Sequence, residues 1–585
     1  MSTYNIPRDS TLQELVALQK AALIGGGDAG AIDSYFCTLV NKCTNLDQVN
    51  ALFREWWNSQ YTEGTTARAD LLERWFGTVL DDDRVHGVKF PLFSTSTTAI
   101  GEKTDDSAGL TCVPSTETSE GQDDFAHLPQ FWCVEVSAEK NADGTITVYA
   151  VEGIDDINDV RSGEHLCWVL QKNTYCREWD EGGYRVFKTR CHAASGYKQW
   201  KDGKTKDGVM HSFMAHPKYY AGKDANGVIT CGTGLNPVLW TSHIGGVALW
   251  RARGSMYSGG SVNVSKFLLR MMWLKYARKG NSGTIEGCSS YSFQYRAAVS
   301  ETGVNRIIIT KANAANLIVG SNVMLGDNAS STDRSAAASY SIARLAKITA
   351  IEEVTVSGVA YSAVYVDTDS AFNTTANTTM LSTMPYGAGW NDGVQGTDGS
   401  RYSCTSGKEP GLLQKIEFQN GSYIIFSDEL WQWSTDSDGS YLLDCYTIDD
   451  QSKVTTNGTI STDYEKQEGL TLSCPSGTSS HWEYIEDTAI SESTLWPEST
   501  STAAGSGTGV KAGFYVYPAS SGVRAAWAWC DLNNGGNAGL AARNSNNSVS
   551  NSNWNGSLGA HWLCINVHII LDIAPYIPRL CAKIA

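Results

Sequence analysis

The spacing of apolar residues changes character near position 83. Before it, the period is helical. Leu12, Leu15, Val16, Ala22 and Leu23 fall on one face of a helix opened by the capping box Thr11-x-x-Glu14 and stopped at Gly25–Gly27. Three further helices are predicted by Ile32, Phe36, Leu39 and Val40, by Val49, Leu52, Phe53 and Trp56, and by Leu71, Leu72, Trp75, Phe76 and Val79. Asp81–Asp83 interrupts the pattern, so residues 1–83 read as a helical attachment or oligomerisation domain.

Beyond that point strands and long loops dominate. Gln130–Ser137 and Ile146–Glu152 flank Asn141-Ala-Asp-Gly144, a hairpin signal with Asp-Gly at the turn. Leu166–Leu170 predicts another strand. Ser265–Ala277 is the one persuasive helix of this half, amphipathic through Phe267, Leu268, Met271, Met272, Leu274 and Tyr276, and reads as core. Arg306–Thr310, Asn322–Leu325, Ala346–Ile351 and Ala363–Asp367 predict a small all-β unit, and Ser330–Ser341 a Ser/Ala-rich loop. Short strands follow at Ile416–Phe418, Tyr423–Phe426 and Gly513–Tyr517, the last preceded by a flexible connector, Ser499–Gly509.

Trp527–Trp562 departs from both textures. Asn533, Asn534, Asn537, Asn544, Asn546, Asn547, Asn551, Asn553 and Asn555 alternate with Gly535, Gly536, Gly539 and small or apolar residues. Asparagine favours turns, and its amide both donates and accepts hydrogen bonds. The predicted arrangement is an exposed, loop-rich face clamped by small residues and closed by a core strand, Trp562–Leu571. Arg543 and Trp554 join the asparagines as expected ligand contacts, because Arg and Trp are typical interface hot spots.

Composition narrows the function classes. A chain of 585 residues is long enough for several domains, and 42% hydrophobic content with 19 Trp belongs to a packed protein. A net charge of −17 argues against a nucleic-acid surface. The 15 cysteines include no C-x-x-C pair, and the N-terminal residues lack the basic start and apolar core of a signal peptide. No apolar run reaches the ~18 residues of a membrane span. These features lead us to expect free, buried thiols, synthesis in a reducing cytoplasm and no membrane insertion.

The run Asn533–Leu540 together with Ser550–Asn555 resembles the variable region of proteins diversified by retroelements, especially those of gut bacteriophages. Gly287–Tyr295, Val304–Gly320, Gly396–Ser400 and Ser406–Pro410 resemble pieces of the same family, whereas the ending Gly556–Ala560 departs from its usual apolar and Arg-containing form. The resemblance implies an α+β chain with a C-type-lectin-like (formylglycine-generating-enzyme-like) fold. Its body would run over 84–300 and 371–585, with a β insertion at 301–370 and a variable segment at about 524–560. It further implies a phage tail-tip adhesin on the virion, made in the bacterial cytoplasm. Such an adhesin would bind a host cell-surface protein or glycan, meet other tail proteins through its N-terminal domain and assemble as a homo-oligomer, by analogy a trimer.

Other constellations are weaker. Trp390-Asn-Asp392 and Glu409-Pro410 resemble the calcium-ligating runs of calcium-dependent lectins, but their order is reversed and Gly411 offers no side-chain ligand, so they read as loop residues. His481–Tyr484 resembles a run of formylglycine-generating enzymes, yet Cys530 and Cys564 lack that family's surrounding motif; Trp482 and Tyr484 read as core. His211 and His216 are five apart, wrong for a zinc pair, and Asp81–Asp83 and Asp123–Asp124 read as solvated turns rather than glycosidase acids. Neither cofactor, metal nor catalysis is expected; the rival readings are a structural tail protein and an enzyme on the same fold.

Overall fold

The computed structural model describes residues 29–92, 100–142, 145–205, 208–502, 509–529 and 531–561. Among the described residues the architecture is mixed, with 17% helix and 36% strand, as an α+β chain requires. The predicted capping box at Thr11, the turn residues Asp143-Gly144, Cys530, Cys564 and the strand Trp562–Leu571 lie outside the described residues.

The N-terminal helices span Ala29–Val40, Leu46–Gln60 and Arg68–Arg74, the last continuing into a π turn, Trp75–Val79. Asn45 caps the second by accepting from the Gln48 amide. The buried Asp33 carboxylate ties them together, taking Trp56 Nε1 at 2.9 Å and Arg74 at 2.8 Å. They do not enclose a core of their own. Trp132 packs 5.1 Å from Phe53 and 5.7 Å from Trp75, so the helices bury their apolar face against the strands that follow.

Those strands form two antiparallel sheets. One runs in the order Lys198–Gln199, Tyr175–Glu181, Tyr184–Arg190, Val85–Pro91, Glu102–Asp105; the other in the order Phe213–Pro217, Leu166–Lys172, Cys133–Lys140, Ile146–Val151. The predicted hairpin is the pair Cys133–Lys140 and Ile146–Val151. The helix expected at Ser265–Ala277 spans Asn263–Tyr276, but it is not amphipathic in place: every residue from Asn263 to Lys275 is buried. Its polar positions are matched inside the protein. Arg270 meets Glu178 at 2.8 Å, Ser265 accepts from Trp529 Nε1 at 2.7 Å, and Lys275 reaches Asp123 and Asp398. Asp123 is therefore no solvated turn residue, nor is Asp82, whose buried carboxylate accepts from Gln130 at 3.0 Å. A charge run in sequence does not reveal a cation arriving from 152 residues away.

The β insertion has its own core, centred on Ile307, Val323, Ile348, Val364 and Leu381. Its six strands run Gln294–Arg296, Thr379–Thr383, Asn322–Asp327, Ala343–Val356, Val359–Val366, Arg306–Ile309. The unit is thus wider than 301–370, because the strands that open and close it along the chain, Gln294–Arg296 and Thr379–Thr383, pair with Gln294 opposite Ser382. A second cluster, with Met324, Met384, Tyr386 and Trp390, joins the insertion to Leu532 and Trp554 of the Asn-rich segment.

The C-terminal sheet is the frame of that segment. Its order is Glu465–Cys474, Tyr441–Thr447, Tyr423–Thr435, Gly522–Ala528, Arg543–Asn544, Gly513–Val516, His481–Thr488, Pro497–Ser501, with Gly556–Leu558 parallel to the start of Tyr423–Thr435. The strand Pro497–Ser501 takes in the first three residues of the expected connector Ser499–Gly509, of which residues 503–508 lie outside the described residues. Trp482 and Tyr484 are half-buried, Trp482 lying 5.1 Å from Tyr515. The twelve described cysteines are free, and no described helix is long and apolar enough to cross a membrane.

One histidine links the core to pH. His243, buried, meets the Ser427 carbonyl at 3.4 Å as its one hydrogen-bond partner among the described residues, and burial pushes its pKa down to about 4. An unfolded chain takes up a proton near pH 6.5 and the folded chain does not, so this group's stabilisation is complete above 6.5 and is lost as pH falls towards 4. The urea stability of the native chain relative to His243→Gln is expected to fall by up to about 1.4 kcal/mol per pH unit across that window. A pH-independent difference would show that His243 is solvated.

Candidate ligand-binding face

The Asn-rich segment leaves the sheet at Trp529, whose φ of +72° turns the chain out of Gly522–Ala528. Asp531 then organises the first loop from inside. Its carboxylate accepts from the Asn533 amide at 2.9 Å and from Asn555 Nδ2 at 2.5 Å, while its own amide donates to Asn534 Oδ1 at 2.8 Å. Burial pushes this carboxyl up, and those donors oppose the shift. A 3₁₀ turn, Gly535–Asn537, brings the chain back inward.

From Ala538 to Ser545 every residue is buried. Gly539 is small for a reason: a Cβ there would meet Ala512 Cβ and the Lys511 carbonyl, both at 3.1 Å. Leu540 donates its amide to Asn281 Oδ1 at 2.9 Å. Arg543–Asn544 is a two-residue strand laid between Gly513–Val516, parallel, and Gly522–Ala528, antiparallel. The chain then emerges as the loop Asn546–Ser552, held by Ser548 Oγ donating to Asn551 Oδ1 at 2.8 Å. It re-enters through Asn555, whose carbonyl accepts the Tyr423 amide at 2.8 Å.

The expected contact residues therefore divide into three sets. Asn533, Asn546 and Asn551 are exposed. Asn534, Asn537, Asn547, Asn553 and Asn555 are half-buried, and several of them brace the loops that carry the exposed ones. Arg543, Asn544 and Trp554 are buried, which corrects the expectation of ligand contacts there. Arg543 is 0% exposed and donates to the carbonyls of Ala542 at 2.9 Å and Leu495 at 3.1 Å; its charge also opposes the upward shift that burial imposes on Glu429. Asn544 bonds Tyr423 Oη at 3.1 Å, and Trp554 fills the cluster shared with the insertion, beneath the Arg334 guanidinium at 4.8 Å. Strand pairing has taken the first two inside, and a neighbouring unit has covered the third.

The departure at Gly556–Ala560 has a structural counterpart. Residues 556–561 are all buried, so the exposed part ends at Asn555. Gly556 has no room for a side chain: a Cβ would lie 2.5 Å from the Trp527 ring. Gly556→Ala is expected to cost about 1–3 kcal/mol, read as a lowered urea midpoint. An unshifted midpoint would mean that Trp527 moves freely.

Residues far away in sequence complete the face. Ser335 Oγ donates to Asn553 Oδ1 at 2.7 Å, and the Trp240 amide donates to the Asn553 carbonyl at 3.0 Å. Nothing in the local sequence marks either, since each lies over 200 residues from Asn553. The runs Trp390–Asp392 and Glu409-Pro410 do come together, but their polar groups serve each other and the core. Trp390 Nε1 donates to Glu409 at 3.0 Å, Asn391 Nδ2 to the Pro410 carbonyl at 3.2 Å, and Tyr219 and Thr233 to Asp392 at 2.7 Å. Among the described residues no three His, Cys, Asp or Glu side chains are placed to hold a metal ion. Compared with protein-family models and with curated proteins, the chain finds no match.

Proposed function

We propose that this chain is a phage receptor-binding protein of the retroelement-diversified kind, a tail-tip adhesin on a C-type-lectin-like body, acting without catalysis. The observation that carries the proposal is the separation of side chain from backbone in residues 533–555. Asn533, Asn546, Asn551 and their serine neighbours 550 and 552 face solvent, while 538–545 and 556–561 are buried in the sheet. Exchanges at exposed positions away from special features shift stability by only about ±0.5 kcal/mol, so such a face tolerates change without loss of fold. A pre-formed loop also loses less entropy on binding. The sequence resemblance supplies the biological context: a virion tail, a host-surface ligand and oligomeric copies whose avidity strengthens weak single contacts.

The test is to sequence codons 524–565 of this gene across sibling genomes. Under this reading, substitutions concentrate at Asn533, Asn534, Asn537, Asn546, Asn547, Asn551 and Asn553, start from adenines, and spare Gly539, Leu540 and Gly556. A segment no more variable than its flanks overturns the reading.

A further inference from the structure

The Asn-rich segment is bordered by two cations that have no acidic partner among the described residues, Arg344 at the Asn553 end and Lys408 at the Gly535 end. Arg344, exposed at the start of strand Ala343–Val356, lies 4.6 Å above the Tyr340 ring and 5.1 Å above the Trp240 ring, and the two rings meet edge to face at 6.0 Å. It forms no ion pair or side-chain hydrogen bond among the described residues. Trp240 holds the ledge against the segment through the Asn553 carbonyl, and does so with a φ of +51°, a conformation costly for a tryptophan. On the other flank, Lys408 sits 5.3 Å over the Phe293 ring, also without an ion pair among the described residues. Its turn is fastened to the segment by Ser290 donating to the Gly407 carbonyl and Gly535 donating to Ser289. The acidic groups along these segments include Glu409, buried and held by Trp390 Nε1, Asp333, exposed but engaged in its own turn with Ser335, and Asp531, buried.

The chemistry of the two cations selects a ligand. A guanidinium held against two aromatic rings is ordered before binding and keeps N–H groups available for a carboxylate. The exposed side chains of the segment are Asn and Ser, which pair with hydroxyl groups in both directions. A protein ligand would call for an exposed aromatic anchor at the centre, and Trp554 is buried. The geometry points to a composite face, in which Arg344 on the Trp240–Tyr340 ledge and Lys408 hold carboxylates of an acidic, uronate-type polysaccharide while the Asn-rich loops read the sugar hydroxyls between them. This inference rests on the adhesin reading above and assigns the insertion a share of the binding site.

The test uses the full chain and polygalacturonate as probe, against its methyl ester and against poly-glutamate, at about 0.15 M salt. The native chain is expected to bind polygalacturonate at least about tenfold more tightly than either control. Arg344→Ala is expected to lose about tenfold with an unchanged near-ultraviolet circular dichroism spectrum, and Arg344→Lys to fall between. No binding by the native chain, equal binding to the methyl ester or to poly-glutamate, or an unaffected Arg344→Ala each overturns the proposal. Sibling genes that vary at the Asn codons would keep the adhesin reading intact even then, so the two failures are distinguishable.

Discussion

Lys275→Met is expected to cost about 3–5 kcal/mol, a large share of the roughly 5–15 kcal/mol that keeps a domain folded. The ammonium is completely buried, 2.7 Å from Asp123 and 2.5 Å from Asp398, and donates to Gln414 Oε1 at 3.1 Å. Burial alone would depress its pKa; the two carboxylates overcome that and hold it well above the ordinary lysine value. Methionine fills the space but leaves two carboxylates facing each other with no cation between them. The same charge repulsion predicts partial rescue: Lys275→Met with Asp398→Asn should recover stability, because the remaining Asp123 keeps its donors, Thr397 Oγ1 at 2.9 Å and the Phe125 amide at 3.0 Å. Urea unfolding followed by tryptophan fluorescence reads both. A single variant within about 1 kcal/mol of the native chain would mean that water reaches this triad.

The second large effect separates scaffold from ligand contact. Arg543→Ala is expected to cost about 3–5 kcal/mol, whereas Asn546→Ala and Asn551→Ala should stay within about 0.5 kcal/mol. Removing the guanidinium frees the buried carbonyls of Ala542 and Leu495 and takes from Glu429 a positive charge that favours its ionised form. The short strand it anchors joins Gly513–Val516 to Gly522–Ala528, so its loss should loosen both loops of the face. Lysine cannot replace the planar fork, and Arg543→Lys should rescue little. If Arg543→Ala instead folds as the native chain does and loses only ligand binding, the residue is a contact after all and the burial assignment fails.

Much of the fold was legible along the chain. Local periodicity placed three of the N-terminal helices, the hairpin around Asn141, the central helix to within two residues at its start, and the strands of the insertion, because these elements are written in the spacing of Phe, Trp, Leu and Ile. The alternation of Asn with Gly and Ala marked the candidate face for the same reason: small residues are required where the backbone is clamped, as at Gly539 and Gly556. What sequence could not decide is which side of an element meets protein. Lys275 and Arg270 look solvated in sequence and are buried, and the half-buried Asp123 is ion-paired, since their partners come from distant segments. Arg543 and Trp554 look like hot spots, and tertiary pairing took them inside; Trp240 and Ser335 show no local signal, and tertiary packing set them against Asn553, with Arg344 over the Trp240 ring. Hydrophobic spacing acts within one element, whereas ion pairing and the walls of a binding face depend on chain segments that only folding brings together.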